Sequence, residues 1–529
     1  MANISTSTTG FPSEVDTYTT LTRATQATKE QYNGMNSAIV ALEKHTFGVF
    51  NVKTYGAVGD GTTDDRTYIQ SAIDAAEAAG GGIVFFPPGT YLLSNGNSGA
   101  SSWNNRYCLS ILSDNVHLVG SGTGATILKL AASANAHVIQ IGQRTNGTVT
   151  VSDCSVRDLE IDGNRSSQST PDDTNDHNNG IDVSTGCSRI KLERLYIHDC
   201  MYYGIGFQSG QFTDCSIRDV TIANTGADGF DGKDESNNST GNVMDGVQVS
   251  AFGLLSGLTN QQAGIDFRGG WHVSNCTVDG FGTAKGLHGI RVNVTTAFTT
   301  AEQPVSFVNC FANGGGQANT VGFYSNALQV RAANIYVSNV ETGYSIRERD
   351  YMLSNLTAET VTTGFSFVGA NRAQLTSCVV RNASGTAYSL TSSSGGNMFS
   401  GCIGFTVGTG ISLAAGCNSN RFIGGAISTA SVTALSDSGT GNVFQFVGGI
   451  VRANSGTGSI ASGATTATVN HGLQTTPSAA NISVVFTEQG TNNYGRWWIS
   501  NITPTQFTVN VSSDPGASNL DFSWQVVIV

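Results

Sequence analysis

The chain has 529 residues, enough for several domains or for one long repetitive one. Charged residues make up only 12%, against a usual share of roughly 25%, and Gly numbers 65 against 8 Pro. That balance suits stacked β structure with tight turns and excludes a Pro-Gly disordered chain, while a net charge of −12 argues against nucleic acid or an anionic membrane as partner.

The opening MANISTSTTG lacks the basic start and apolar core of a signal peptide. No apolar run approaches the roughly 18 residues of a membrane span, so no membrane insertion is expected. The ten Cys form no CxxC pair and sit inside strand patterns, such as DCSV at 153–156 and NCTV at 275–278. They read as small buried thiols, with neither disulfides nor a metal site, which fits synthesis in a reducing cytoplasm. Residues 1–12 are polar. From about 13 to 45, Tyr32, Met35, Ile39 and Leu42 make a heptad-like stripe, which would need packing against copies of itself or a larger particle.

At 49 the register changes. VFNVKTYGAVGDGTTDDRTYIQSAIDAAEAAGGGIVFFPPGTYLLS reads as strand, Gly turn, helix, Gly turn and two strands. Thr63 or Asp64 is the expected cap of a helix over 64–79, whose apolar face is Ile69, Ala72, Ile73 and Ala76. YGAVGDGTTDD, IQSAIDAA and GGGIVFFPPGTY together resemble the opening of the pectate-lyase superfamily of right-handed parallel β-helices. The resemblance implies that this helix plugs the first coil and shields its open edge.

From about 108 to 450 two phrases repeat. One is apolar–x–x–apolar–x–apolar, as in Val156, Leu159, Ile161 and Leu192, Leu195, Ile197. Its spacing of three breaks strand alternation and predicts a bend, where Asn275, Asn309, Asn339 and Asn355 would suit left-handed geometry. The other is a Gly–apolar strand recurring at Gly180, Gly204, Gly229, Gly264, Gly289, Gly322, Gly343, Gly364 and Gly410. Intervals clustering near 21–25 with strands alone indicate a β solenoid. Insertions at 162–179, 251–262 and 294–304 are expected to project from it. Near 452 the repeat ends; SGTGS at 455–459 is linker-like, and five short strands follow. Trp497, Trp498 and Trp524 read as core and subunit-contact residues. The expected fold is thus all-β. A right-handed single-stranded parallel β-helix over 48–452 follows an N-terminal helical segment over 1–47, and a small β-sandwich over 453–529 serves trimerisation or carbohydrate binding.

The chemistry is expected on four versions of one strand: GIGFQS at 204–209, DGFDGKDES at 228–236, AGIDFRGG at 263–270 and HGIRVN at 288–293. Alternation points Gly206, Asp231, Asp266 and Arg291 outward into a column with a rise of roughly 4.8 Å per strand. If their coils are neighbours, the carboxylates of Asp231 and Asp266 lie roughly 5 Å apart, which suits a retaining glycosidase pair. Asp228 adds a third carboxylate. Asp182, two coils away at roughly 10 Å, would contact substrate at most. Asp beside Gly turns can also be a plain turn former, which accounts for Asp158 and Asp219. It accounts less well for a mid-strand Asp231 or Asp266. Lys233, Arg268, His288 and Arg291 either hold anionic sugars or neutralise the stacked Asp residues. Trp271, Tyr202, Tyr203 and Tyr324 are the aromatics available to a sugar. Exchange of Asp266 for Asn is expected to stop cleavage with little change in melting temperature.

DGFD at 228–231 and HGI at 288–290 are similar to part of the polygalacturonase pattern on this fold. That resemblance places Asp228 as the first acid and His288 as the histidine. The chain departs where the family carries an Asp pair and this sequence has Gln262-Ala263, and Leu287 replaces a Gly. The N-terminal FPSEVDTYTTLTRATQATKEQYNGMNSAIVALEKH resembles virion-attachment segments of phage tail proteins. The C-terminal ATVNHGLQTTP and WWISNITPTQFTVNVS resemble terminal modules of tail fibres and tailspikes. The resemblance implies a bacteriophage tailspike on the virion. It would be a homotrimer, attached to the baseplate or tail through its N-terminus. It would bind and depolymerise a bacterial capsular, exo- or cell-wall polysaccharide by glycoside hydrolysis, with no cofactor. A lyase, with or without Ca2+ held by Asp residues, and a non-catalytic receptor-binding spike are the alternatives.

Overall fold

A computed structural model describes residues 48–97, 106–143, 149–169, 178–208, 210–233, 239–282, 285–293, 305–445, 447–450, 453–473, 476–487 and 492–527. The Tyr32–Leu42 stripe, 170–177 of the insertion 162–179, and all of 294–304 lie outside these residues. The chain divides into two compact units, Met1–Asn260 and Gln261–Val529. Its strands up to 445 pair in parallel as a right-handed β-helix.

In the first unit the apolar phrases become stacked strands. Ser155–Asp162 pairs with Lys191–His198, which pairs with Ser216–Ala223, bringing Val156, Leu192 and Ile217 into one row and Leu159, Leu195 and Val220 into another. Between the two rows Asp158, Arg194 and Asp219 adopt φ of 59°, 49° and 53°. This is the bend that the spacing of three demands, and Asp158 and Asp219 are turn residues there. Arg194 clamps Asp158 with two bonds of 2.6 and 2.9 Å, so the corner carries a bidentate ion pair.

The helix runs Arg66–Ala78, with Ile69, Ala72, Ile73 and Ala76 fully buried. Asp65 precedes it, in place of the expected Thr63 or Asp64. The buried Asp65 carboxylate accepts from the backbone N–H of Val58 at 2.6 Å and Gly59 at 2.9 Å, which ties the YGAVGDG turn to the helix start. Asp64 instead accepts from the N–H of Arg66 and of Ser94. Segment 251–260 does not project. Phe252 and Leu258 are buried, and Leu258 packs with Tyr202, Tyr203 and Ala227, because an apolar loop gains more from covering that cluster than from facing water.

The second unit continues the same logic with side-chain ladders. Asn309 donates to Asn275, Asn334 to Asn309 and Asn355 to Asn334, at 3.1–3.3 Å, along one left-handed bend. Asn339 turns a different corner and donates to Asn313 at 2.7 Å. Inside, Tyr344, Phe365 and Tyr388 stack at 4.5 and 5.4 Å, each pair contributing on the order of 0.5–1.5 kcal/mol beyond area burial. The ten cysteines are all buried, and none forms a disulfide.

From 453 two three-stranded antiparallel sheets enclose a core that includes Phe507, Phe522 and Trp524. They have six strands, one more than the sequence suggested. The extra one, Ala453–Ile460, contains the linker-like SGTGS and pairs with Leu520–Val527. Gly456 lies opposite Trp524 and Gly458 opposite Phe522, and a Cβ at either would collide with the facing ring. Glycine is there to admit the aromatics, which in turn cover the bare strand. Trp524 is core, whereas Trp497 and Trp498 are exposed, which corrects their reading as core residues of this chain.

Candidate functional site

The Gly–apolar phrase has four positions, X–Gly–apolar–Z. In the first unit it reads Asn179–Asp182, Tyr203–Gly206 and Asp228–Asp231. The strands Ile181–Ser184, Ile205–Gln208 and Phe230–Gly232 pair in parallel, so Asp182, Gly206 and Asp231 share a row. Asp182 is therefore two strands from Asp231, as expected. The residue before the Gly was the less obvious partner: Asn179 donates to Asp182 at 3.1 Å.

The carboxylates do not stand on an open surface. Asp182, Asp228 and Asp231 are all buried, which corrects the picture of a solvated column. Burial of a carboxylate requires a paired charge, and Lys233 provides it. Its ammonium lies 3.0 Å from Asp231, with the Asp side chain 1% exposed and the Lys 16%. The same ammonium donates to the Tyr203 hydroxyl at 2.9 Å. Gln208 donates to Asp231 at 3.4 Å. Burial, and the Asp231 charge after it, push the Tyr203 phenol well above its ordinary pKa, so it keeps its proton. Tyr202 is buried against Tyr203, with ring centres 4.4 Å apart, and is not a surface platform.

In the second unit the phrase reads Ala263–Asp266, His288–Arg291 and Val321–Tyr324. Gln262–Phe267, Gly286–Val292 and Val321–Ser325 pair in parallel, with Asp266, Arg291 and Tyr324 in one row and Ala263, His288 and Val321 in another. Arg291 meets Asp266 at 2.7 Å; the side chains are 11% and 1% exposed. Arg291 also donates to the Gln261 carbonyl. The neutralising reading of the cations thus holds for Lys233 and Arg291. His288 departs from it. Burial, then the charges of Arg291 and Arg347, push its pKa down to about 3, so it is a neutral imidazole. Its ring stacks on Tyr324 at 5.0 Å, and its buried Nδ1 has no hydrogen-bond partner among the described residues. Arg347 sits 5.2 Å from the Tyr324 ring centre. Arg268 is half-buried. Trp271 is 1% exposed and packs on Phe267 at 5.5 Å; it is a core residue and not a sugar contact.

Asp231 and Asp266 belong to different units. Outside the phrase, Asp162, His198 and Asp199 approach one another closely enough to share an ion. His198, however, already faces Asp199 at 2.8 Å through Nδ1 and Glu160 at 3.1 Å through Nε2. Burial lowers its pKa, but the hydrogen bonds to Asp199 and Glu160 outweigh that and raise it above the ordinary value.

Residues 49–255 match the family described as rhamnogalacturonase A/epimerase, pectate lyase-like. Over 182 residues, 34% of the chain, the sequence is 40% identical to mannuronan C5-epimerase AlgE2 of Azotobacter vinelandii. Over 183 residues it is 36% identical to alginate lyase 7 of the same organism. These matches take in 17% and 20% of the two relatives, so the chain spans a fifth or less of their length. Among solved structures, a tailspike protein of E. coli bacteriophage HK620, in complex with a pentasaccharide, aligns over 90% of this chain and 93% of its own at 13% identity, with a TM-score of 0.51. The chain is a parallel β-helix protein with the fold of the HK620 tailspike, and its residues 49–255 are similar to the pectate lyase-like family.

Proposed function

We propose that the chain acts on a uronate-containing bacterial polysaccharide by moving the proton next to the uronate carboxylate. The observation that carries this is the Tyr203–Lys233–Asp231 set, in which one ammonium bonds a phenol at 2.9 Å and a carboxylate at 3.0 Å. Proton transfer at that carbon needs a cation to steady the carboxylate, a base and an acid. Lys233 is the cation. Asp228, buried three residues before Asp231, is the base. Tyr203, which keeps its proton, is the acid. Matches to an epimerase and a lyase point to the same class of reaction.

Glycoside hydrolysis is the second reading, favoured by two buried carboxylates, Asp228 and Asp231, on one strand entry. Both readings place the chain on a phage particle as a homotrimer that binds a surface polysaccharide. The test is gel filtration of alginate and of capsular polymers after incubation with the protein, with ultraviolet detection and proton NMR. New absorbance from an unsaturated uronate, or a changed ratio of C5 epimers, supports proton transfer. A fall in size with neither supports hydrolysis. Binding with no change in the polymer refutes both and leaves a receptor-binding spike.

A further inference from the structure

Beyond Tyr324 the four-residue phrase settles into one wording. Thr342–Ser345 reads TGYS, Thr363–Ser366 TGFS, Thr386–Ser389 TAYS, Thr409–Ser412 TGIS and Thr433–Ser436 TALS. Strand register stacks all five. Ser345, Ser366, Ser389, Ser412 and Ser436 form one row, and this row is headed by Tyr324 and Arg291. Thr342 and Thr363 continue the row of His288 and Val321, and Thr386, Thr409 and Thr433 stack in turn. The apolar residue between, Tyr344, Phe365, Tyr388, Ile411 or Leu435, is buried in every case. Core packing therefore explains the third position and the close strand stacking explains the Gly or Ala, but neither explains Thr and Ser on the flanks.

Three facts separate these hydroxyls from ordinary turn formers. Among the described residues, no hydrogen bond engages the hydroxyls of Thr342, Thr363, Thr386 and Thr409, or of the five Ser; only Thr433 donates, to the Leu435 carbonyl. The Thr residues, with Ser366, Ser389 and Ser412, are half-buried, fixed in place yet open to a ligand. The Thr row begins at His288, which is 6% exposed with an unpartnered Nδ1, and the Ser row begins at the Arg291–Asp266 pair. A face meant for another protein copy would be depleted in Ser.

We infer that this double row is a track for an extended saccharide chain, laid along the stacking direction. Its hydroxyls would pair with sugar hydroxyls, and Arg291 and Arg347 would mark the end that takes an acidic unit. The rows repeat at roughly 4.8 Å, comparable to the length of one sugar ring in an extended chain. Successive coils, among them Thr363–Ser366, Thr386–Ser389 and Thr409–Ser412 with both flanks half-buried, then offer several positions to a polymer and fewer to a short oligomer. The inference rests on the proposed polysaccharide activity and adds where, and in what length, the polymer is held.

The test uses the full chain and alginate oligosaccharides of graded length, with bacterial capsular polymers in parallel. Two triple variants are compared with the wild type: Ser366→Ala/Ser389→Ala/Ser412→Ala and Thr363→Val/Thr386→Val/Thr409→Val. Both keep side-chain volume close to the original. Wild-type affinity is expected to rise with oligomer length. Each triple variant is expected to bind long oligomers about tenfold more weakly, while short oligomers bind as in the wild type and the melting temperature holds. Unchanged length dependence in both variants overturns the track, and a lowered melting temperature with unchanged binding assigns the rows to stability instead. If Ser389→Arg breaks up an oligomer seen by light scattering, another copy covers this face and the track is likewise overturned. Wild type that binds none of these polymers refutes the polysaccharide reading itself.

Discussion

Asp266 is the residue at which the structure changes a forecast most. Asparagine keeps the shape of the side chain but removes its charge. The guanidinium of Arg291, 2.7 Å away and only 11% exposed, then loses that anion and keeps the Gln261 carbonyl among its partners. Breaking a buried pair by removing one partner costs on the order of 3–5 kcal/mol. The remaining carbonyl bond places this case near the lower limit, at about 3 kcal/mol. For a folding unit of this size each kcal/mol moves the melting temperature by roughly 2–4 °C. Asp266→Asn is therefore expected to lower Tm by roughly 6–12 °C, against the near-zero change expected from sequence. The assay is calorimetry of Asp266→Asn, Arg291→Met and the double variant. The double variant should recover most of the loss, because it removes both charges. An unchanged Tm in Asp266→Asn, or strictly additive losses in the double variant, would refute the reasoning.

His288 is held neutral down to a pKa of about 3, against 6.5 in an unfolded chain. Between those values the unfolded state binds the extra proton, so stability rises with pH and is lost as pH falls below 6.5, by up to ~1.4 kcal/mol per pH unit. His288→Gln should flatten the dependence of Tm on pH below 6.5; parallel curves would remove the assignment. Lys233→Met removes the ammonium 3.0 Å from the buried Asp231 and should reduce both Tm and polymer modification, whereas no change in either would sever Lys233 from the site. Gly458→Val drives a Cβ to 2.4 Å from Phe522 and should cost roughly 1–3 kcal/mol, read as a lower melting transition. All ten thiols should resist alkylation in the folded protein and react in denaturant. Rapid labelling of any one in the native state would contradict its burial.

The β-helix was legible because its two phrases are governed by backbone geometry. Asp158, Asp219 and Asn275 announce their bends through the residue types that tolerate positive φ, and Val156, Leu159 and Ile161 announce their rows by spacing. The site was legible in part. Asp231, Asp266 and Arg291 share the offset that their register confirms within each unit, yet their burial was not readable. Alternation says which way a side chain points, not what lies over it. Trp271 shows the same limit, since an aromatic near a Gly pair reads alike on either side of the wall. Tyr203 and Lys233 lie 30 positions apart, and only the pairing of Ile205 with Phe230 brings them to one place. Gly456 and Gly458 misled because a Gly–Ser alternation carries no sign of the rings that face it.

Among the described residues, bends of the solenoid are bonded to the bends of neighbouring coils, as Arg194 is to Asp158 and Asn334 to Asn309. The five Thr–Ser coils recur at intervals of 21, 23, 23 and 24 residues, counted from Thr342 to Thr433. A whole coil can thus be lost or gained as a cassette while every remaining bend keeps its φ and every remaining ladder closes across the gap. Such a body acts as a ruler with a fixed graduation. The reach of the protein along whatever it grips changes in steps of one strand spacing, by recombination at repeats, without any redesign of its core.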